Sequence, residues 1–247
     1  VSLPWIVGCV LVGMLAGPRI RSCVFSRGTE SGQPPRHVCP DCAELITPAR
    51  HQWRSLLPVT GRCPACQVRI GPYPLLAEFA AGLAMAVVAA RASSVWELAA
   101  LAWLVLLAVP LAFIDSAVRR LPNPLTAAAL TGTLALLTVA ALTGHQLDHL
   151  GRAAIGAAAL SCFYLLLWVI RPGGMGLGDV KLAVSVGLAL AWISWQALIT
   201  GTFLAFILAS AYGVALLITR RANRGAQLPL GPFMLVGALV ATVLLPL

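Results

Sequence analysis

Residues 96–142 read WELAALAWLVLLAVPLAFIDSAVRRLPNPLTAAALTGTLALLTVAAL. Two apolar blocks, about 96–114 and about 124–142, flank a short joint that holds Asp115, Arg119, Arg120 and Pro122. Each block approaches the roughly 20 residues that cross a bilayer as a helix. A backbone facing lipid must satisfy its own hydrogen bonds, and neither block alternates with the period of two of a barrel strand. Both therefore read as helices, and the pair sets the fold class: an all-α polytopic membrane protein.

Comparable blocks stand at about 3–17, 75–90, 153–170, 180–195, 197–218 and 228–247, which makes about eight transmembrane helices. Composition agrees. Of the 247 residues, 60% are hydrophobic and 10% charged, where soluble domains have roughly 45–50% and about 25%. A soluble domain, a disordered chain, a collagen, a coiled coil and a small disulfide scaffold are excluded. The first block has neither a basic n-region nor a small-residue cleavage pattern ahead of Arg19 and Arg21, so it reads as a retained span.

The formal net charge is +9, and its distribution reports orientation. Fifteen of the seventeen lysines and arginines fall after the first, third, fifth and seventh spans, and only Arg91 and Arg152 fall on the other side. The positive-inside rule then puts both termini outside and the 18–74 segment in the cytoplasm. This accounts for the basic balance without a nucleic-acid partner. The chain divides into a first transmembrane helix (1–17), a cytoplasmic loop domain (18–74) and a core of about seven helices (75–247).

The loop domain holds Cys39-Pro40-Asp41-Cys42 and Cys63-Pro64-Ala65-Cys66. Two residues between cysteines let one tight turn aim both thiolates at a single ion, and two such turns complete a tetrahedral zinc site. Four thiolates leave no open position, so this zinc holds the loop's shape and does not activate water. Two disulfides are the alternative, disfavoured where thiols stay reduced. His37 and His51 lie nearby and are left outside the ligand set. Cys9 and Cys162 read as small buried hydrophobes, and Cys23 has no assignment.

Only eight residues are acidic, so their positions carry information. Glu78, Asp115 and Asp179 fall in spans or at their ends, where an ionisable group is costly and marks function by default. Asp115 ends the third span in Phe113-Ile114-Asp115-Ser116, and Asp179 opens the sixth in Gly176-Leu177-Gly178-Asp179-Val180-Lys181. The topology above places both on the cytoplasmic side at one depth. Two carboxylates brought together there can share a proton. One takes a proton from water as it attacks a peptide carbonyl, and the other stabilises the oxyanion and protonates the leaving nitrogen. Gly176 and Gly178 would allow φ > 0 and close approach of a substrate strand. The alternatives are Asp115 paired with Arg119, and Asp179 favoured by the helix dipole or paired with Lys181. Lys181 itself tunes Asp179, contacts substrate or anchors the interface. Glu78 either shapes the substrate site or pairs with a loop arginine such as Arg69.

These motifs resemble those of the bacterial type IV prepilin leader peptidases, bifunctional peptidase and N-methyltransferase enzymes of the G-x-G-D membrane aspartyl protease class. Cys39, Cys42, Cys63 and Cys66 match the paired knuckles, and Tyr73-Pro74-Leu75-Leu76-Ala77-Glu78 resembles the family's Y-P-x-x-E segment. Asp115 with Leu121-Pro122-Asn123 matches the first aspartate segment, Gly176 to Leu182 the second, and Pro229-Leu230-Gly231-Pro232-Phe233 the approach to the last span. The resemblance implies cleavage of prepilins and pseudopilins after the glycine of a short basic leader, at the cytoplasmic face of the bacterial inner membrane. It also implies methylation of the new N-terminus from S-adenosylmethionine. Two segments depart from the pattern: Gly17-Pro18-Arg19-Ile20-Arg21-Ser22-Cys23-Val24 stands where G-S-F-L-N-V-V is usual, and Ala191-Trp192 where a glycine is commoner. A peptidase without methyltransferase activity, a proton-coupled transporter and a non-catalytic scaffold docking through its zinc loop are the competing readings.

Overall fold

The computed structural model describes residues 3–29, 33–46, 60–73, 75–171, 174–220 and 228–245. Arg50, His51, Arg54, Pro74, Gly173, Arg221 and Arg224 lie outside the described residues. The described chain is helical: α1 (Leu3–Leu15), α2 (Gly17–Arg27), α3 (Leu76–Arg91), α4 (Val95–Val118), α5 (Asn123–Gly144), α6 (Leu147–Ile170), α7 (Leu177–Ile193), α8 (Trp195–Ile218) and α9 (Gly231–Leu244). Each of the eight apolar blocks lies on a helix. The difference is at the first, where helical backbone runs on through α2 into the stretch read as loop. Pro18 sits in the first turn of α2, where its missing N–H costs nothing.

Five stretches are long and apolar enough to cross a membrane: 3–27, α4, α5, α6 and α8. Large apolar side chains point away from the bundle along them, with Ile199 67%, Phe203 66% and Ile218 76% exposed, a surface that lipid covers. Cys162 is among the outward-facing residues and Cys9 is only half-buried, so the expectation that both are buried does not hold. Cys9 packs in part against the core, and Cys162 lies on the outward face of α6.

The helices α3, α7 and α9 are shorter, at 16, 17 and 14 residues. Most of α7 is buried, and it packs against α5, α6, α8 and α9. Small residues let α6 and α7 approach: a Cβ on Gly187 would lie 2.9 Å from Ala157 Cα and 3.0 Å from the Gly156 carbonyl oxygen. Close backbone packing of this kind substitutes in lipid for the missing hydrophobic drive between helices. Ala191 faces Gly156 across the same seam. Trp192, where the sequence departs from its resemblance, is 2% exposed and donates from Nε1 to buried Glu97 Oε1 at 3.2 Å. Its ring meets His149 edge-on.

Arg152 donates to the carbonyls of Ala191, Trp192 and Ile193, the last of α7. Arg91 does the same for Val243 and Leu245 at the end of α9. These two arginines, the exceptions to the charge segregation, cap helix ends whose carbonyls have no intrahelical donor. The opposite ends of α7 and α9 come together with the end of α4, and there the acidic residues converge.

Candidate active site and metal centre

Asp115 sits in the last turn of α4, and both it and Asp179 are 4% exposed. Asp115 Oδ2 accepts a hydrogen bond of 3.0 Å from the Gly231 amide at the start of α9. Asp179 occupies the first turn of α7, where its Oδ2 accepts from the Gly176 amide at 3.1 Å. Its Oδ1 is buried and has no partner. The two carboxylates are close enough for the charge of Asp115 to act on Asp179. Tyr164 of α6, 1% exposed, lies within electrostatic reach of Asp179.

Neither aspartate pairs with the neighbouring cation. Lys181 Nζ donates instead to Asn123 Oδ1 at 2.8 Å, tying the start of α7 to the start of α5. Arg119 adopts a left-handed conformation that ends α4. Gly176 and Gly178 do not need φ > 0: Gly176 has φ −85° and Gly178 lies within α7. Gly178 requires space, whereas a Cβ on Gly176 would meet nothing nearer than 3.7 Å. A Cβ on Gly178 would lie 2.8 Å from Leu121 Cβ, so the α4–α5 joint rests directly on the α7 backbone. This contact brings the two aspartate segments together.

Glu78 has a different partner. Its Oε1 and Oε2 accept from Arg21 Nε at 2.9 Å and Nη2 at 2.6 Å, a forked pair with Arg21 fully buried. Arg21 also donates to the carbonyls of Pro72 at 3.1 Å and Tyr73 at 3.3 Å. The alternative of a pair with a loop arginine thus falls to Arg21 and not to Arg69, which lies over the Tyr73 ring, 3.9 Å from its centroid. Arg69 stands in an isolated bridge opposite Arg62, whereas Arg21 projects from α2, which packs on α3. A side chain on Gly17 would collide with Glu78, so that glycine makes room for the pair.

The four cysteines form two equivalent knuckles. In the first, Cys39 N–H donates to Glu44 O and Ala43 N–H to Cys39 O; in the second, Cys63 N–H donates to Val68 O and Gln67 N–H to Cys63 O. Ala43 at φ 58° and Gln67 at φ 59° take the same left-handed turn. The sulfurs of Cys39 and Cys66, and of Cys42 and Cys63, are 3.6 Å apart, and all four lie within 4.8 Å of one another. Disulfide sulfurs would be about 2.05 Å apart, and all four cysteines are free. Sulfurs about 2.3 Å from a central ion at tetrahedral angles would be roughly 3.8 Å apart, so the cluster has the dimensions of a four-thiolate cage. His37 is not part of it. Amides of Cys42 and Asp41 pull the Cys39 thiol down to about 7. An amide at Val68 favours the Cys66 thiolate, but burial and the neighbouring sulfurs outweigh it and hold Cys66 up at about 12. Thiolates this crowded need a cation among them.

Three contributors escaped sequence reasoning. Arg21 was one positive charge among many in a presumed loop. Tyr164 is a single polar tip in an apolar span. The Gly231 amide belongs to a segment recognised only as the approach to the last helix.

Residues 98–214 match the model of the type IV leader peptidase family. The chain is 34% identical over 217 residues to a prepilin leader peptidase/N-methyltransferase of Aeromonas salmonicida, covering 84% of this chain and 70% of the relative. It is 30% identical over 220 residues to one from Pseudomonas aeruginosa (84% and 71% covered) and 28% identical over 213 residues to one from Bacillus subtilis (84% and 81%). No solved structure matches the chain significantly.

Proposed function

The chain belongs to the type IV leader peptidase family, and from that premise we propose that it removes the leader of prepilins and pseudopilins with Asp115 and Asp179 as its hydrolytic pair. It is a multi-pass membrane enzyme that also methylates the new N-terminus. The observation that carries the reading is the meeting of two buried carboxylates, from the end of α4 and the start of α7, each with one oxygen held by a glycine amide.

Hydrolysis needs one carboxylate ionised and one protonated, and like charges in a poorly solvated site favour that state. Water oxygen bonds to the scissile carbonyl carbon as its proton passes to the ionised carboxylate. The other carboxyl, still protonated, donates a hydrogen bond to the developing oxyanion. The C–N bond then breaks as that carboxyl gives its proton to nitrogen and the oxyanion returns to a carbonyl, leaving one carboxyl protonated and one ionised. The leader leaves with a carboxyl terminus, the mature chain with a free amine, and the pair is restored without a covalent intermediate.

Charge segregation supports a bacterial inner-membrane orientation with both termini outside and the aspartates and cysteine module facing the cytoplasm. Cys39, Cys42, Cys63 and Cys66 would hold one structural zinc, which supplies folding free energy to a module too small for a core of its own. The methyl donor used by the family is S-adenosylmethionine. The aspartate pair offers two acids and no cation, which does not fit the donor's carboxylate, so no step of hydrolysis runs through it. No nucleic acid is needed.

The test is cleavage of a synthetic prepilin leader peptide by the purified chain in liposomes, with and without methyl donor, read by mass spectrometry. Asp115→Asn and Asp179→Asn should each abolish cleavage while leaving the protein folded and inserted. Wild-type cleavage by either variant refutes the pair. Donor-dependent gain of one methyl group on the product reports the second activity.

A further inference from the structure

We infer that Gly231 is a positioning residue for hydrolysis: its backbone amide, delivered by α9, fixes the Asp115 carboxylate in the orientation that the reaction uses. The inference rests on the hydrolytic pair proposed above and adds a third element to it.

Asp115 stands in the last turn of α4, whose unpaired carbonyls make that end a poor place for a carboxylate. What it gains there comes from 116 residues away. The Gly231 amide donates to Oδ2 at 3.0 Å, in a buried position, from the first turn of α9. The next residue, Pro232, has no amide to offer, so Gly231 is the donor that this turn can aim at Asp115. The turn is held from both sides. Leu230 and Met234 are buried, and Phe233 packs on Tyr212 of α8 with ring centroids 5.4 Å apart.

Glycine is required here for space. A Cβ at 231 would lie 2.9 Å from Asp115 Oδ2 and 3.4 Å from both Cβ and Cγ of that aspartate. A methyl group would push the carboxylate away and break the hydrogen bond that orients it. Asp179 needs no such help from afar, because its own helix start supplies the Gly176 amide. One aspartate is thus oriented locally and the other by α9.

The test uses the full chain in liposomes with a synthetic prepilin leader peptide, comparing wild type, Gly231→Ala and Asp115→Asn. Displacing a reacting group by about 1 Å costs about 100-fold, so Gly231→Ala should lower kcat by about that factor and change KM by less than about threefold. Thermal unfolding in detergent supplies a readout independent of turnover: Gly231→Ala should lower Tm in the wild-type background and not in an Asp115→Ala background, where the clash is relieved. Wild-type kcat in Gly231→Ala alongside an inactive Asp115→Asn overturns this inference alone, as does an equal loss of Tm in both backgrounds. Activity in Asp115→Asn overturns the pair itself.

Discussion

Glu78→Gln should destabilise the protein severely, because of what it leaves behind. Arg21 is fully buried and its guanidinium meets four acceptors: two oxygens of Glu78 and the carbonyls of Pro72 and Tyr73. Neutralising Glu78 leaves a buried cation with weakened partners, and breaking a buried pair from one side costs about 3–5 kcal/mol. Net stabilities of folded domains are about 5–15 kcal/mol, so the loss is a large share of the total. At roughly 2–4 °C per kcal/mol for a chain of this size, Tm should fall by roughly 6–20 °C. Because Arg21 also holds the chain at Pro72 and Tyr73, the cysteine module should loosen first, and limited proteolysis should cut it before the helices. The double variant Arg21→Met with Glu78→Gln removes both charges and should cost less than the sum of the two single changes by 1 kcal/mol or more, about the lower range for contacting residues. The assay is thermal unfolding in detergent followed by tryptophan fluorescence. A Glu78→Gln variant with wild-type Tm, or strict additivity in the double, would refute the reasoning.

Metal analysis of the purified protein should find about one zinc per chain, lost in Cys39→Ser or Cys63→Ser. Binding should weaken as pH falls, because the cation must displace the proton of Cys66, held up at about 12, and at lower pH protons compete for the same sulfur; chelator competition at two pH values measures this. Gly187→Leu should cost at least about 1–3 kcal/mol as an overpacked contact, since even a Cβ would lie 2.9 Å from Ala157 Cα and 3.0 Å from the Gly156 carbonyl; loss of thermal stability with retention of metal is the expected outcome.

What could be seen beforehand follows from the range of the interactions. Hydropathy is local, so residues 96–142 announce α4 and α5, and charge placed on either side of such blocks announces which acids share a face. The knuckles are local too, since two cysteines three apart define their own turn. The Arg21–Glu78 pair is not local: 57 residues separate its members. In sequence Arg21 belongs to a polar stretch that reads as loop, and only its burial against neighbouring helices makes α2 a helix with an interior charge. The same holds at Trp192, which looks like drift until Glu97, 95 residues away, appears at its indole nitrogen. At Gly178 the sequence cannot say whether a missing Cβ provides torsional freedom or room for Leu121, and the structure shows the second.

The 17 residues of α7 have one more consequence. At 1.5 Å per residue the helix is about 26 Å long, a few ångströms less than the roughly 30 Å of hydrocarbon it stands in. Its far end is fixed by Arg152 on the carbonyls of residues 191–193, so the shortfall falls at Asp179. Because α7 is enclosed by α5, α6, α8 and α9, the missing length is made up by protein and not by lipid: the α4–α5 joint lies against the start of α7 at Gly178, and the start of α9 lies against Asp115. A short helix inside the bundle thus sets its carboxylate among neighbouring segments of the chain rather than among headgroups.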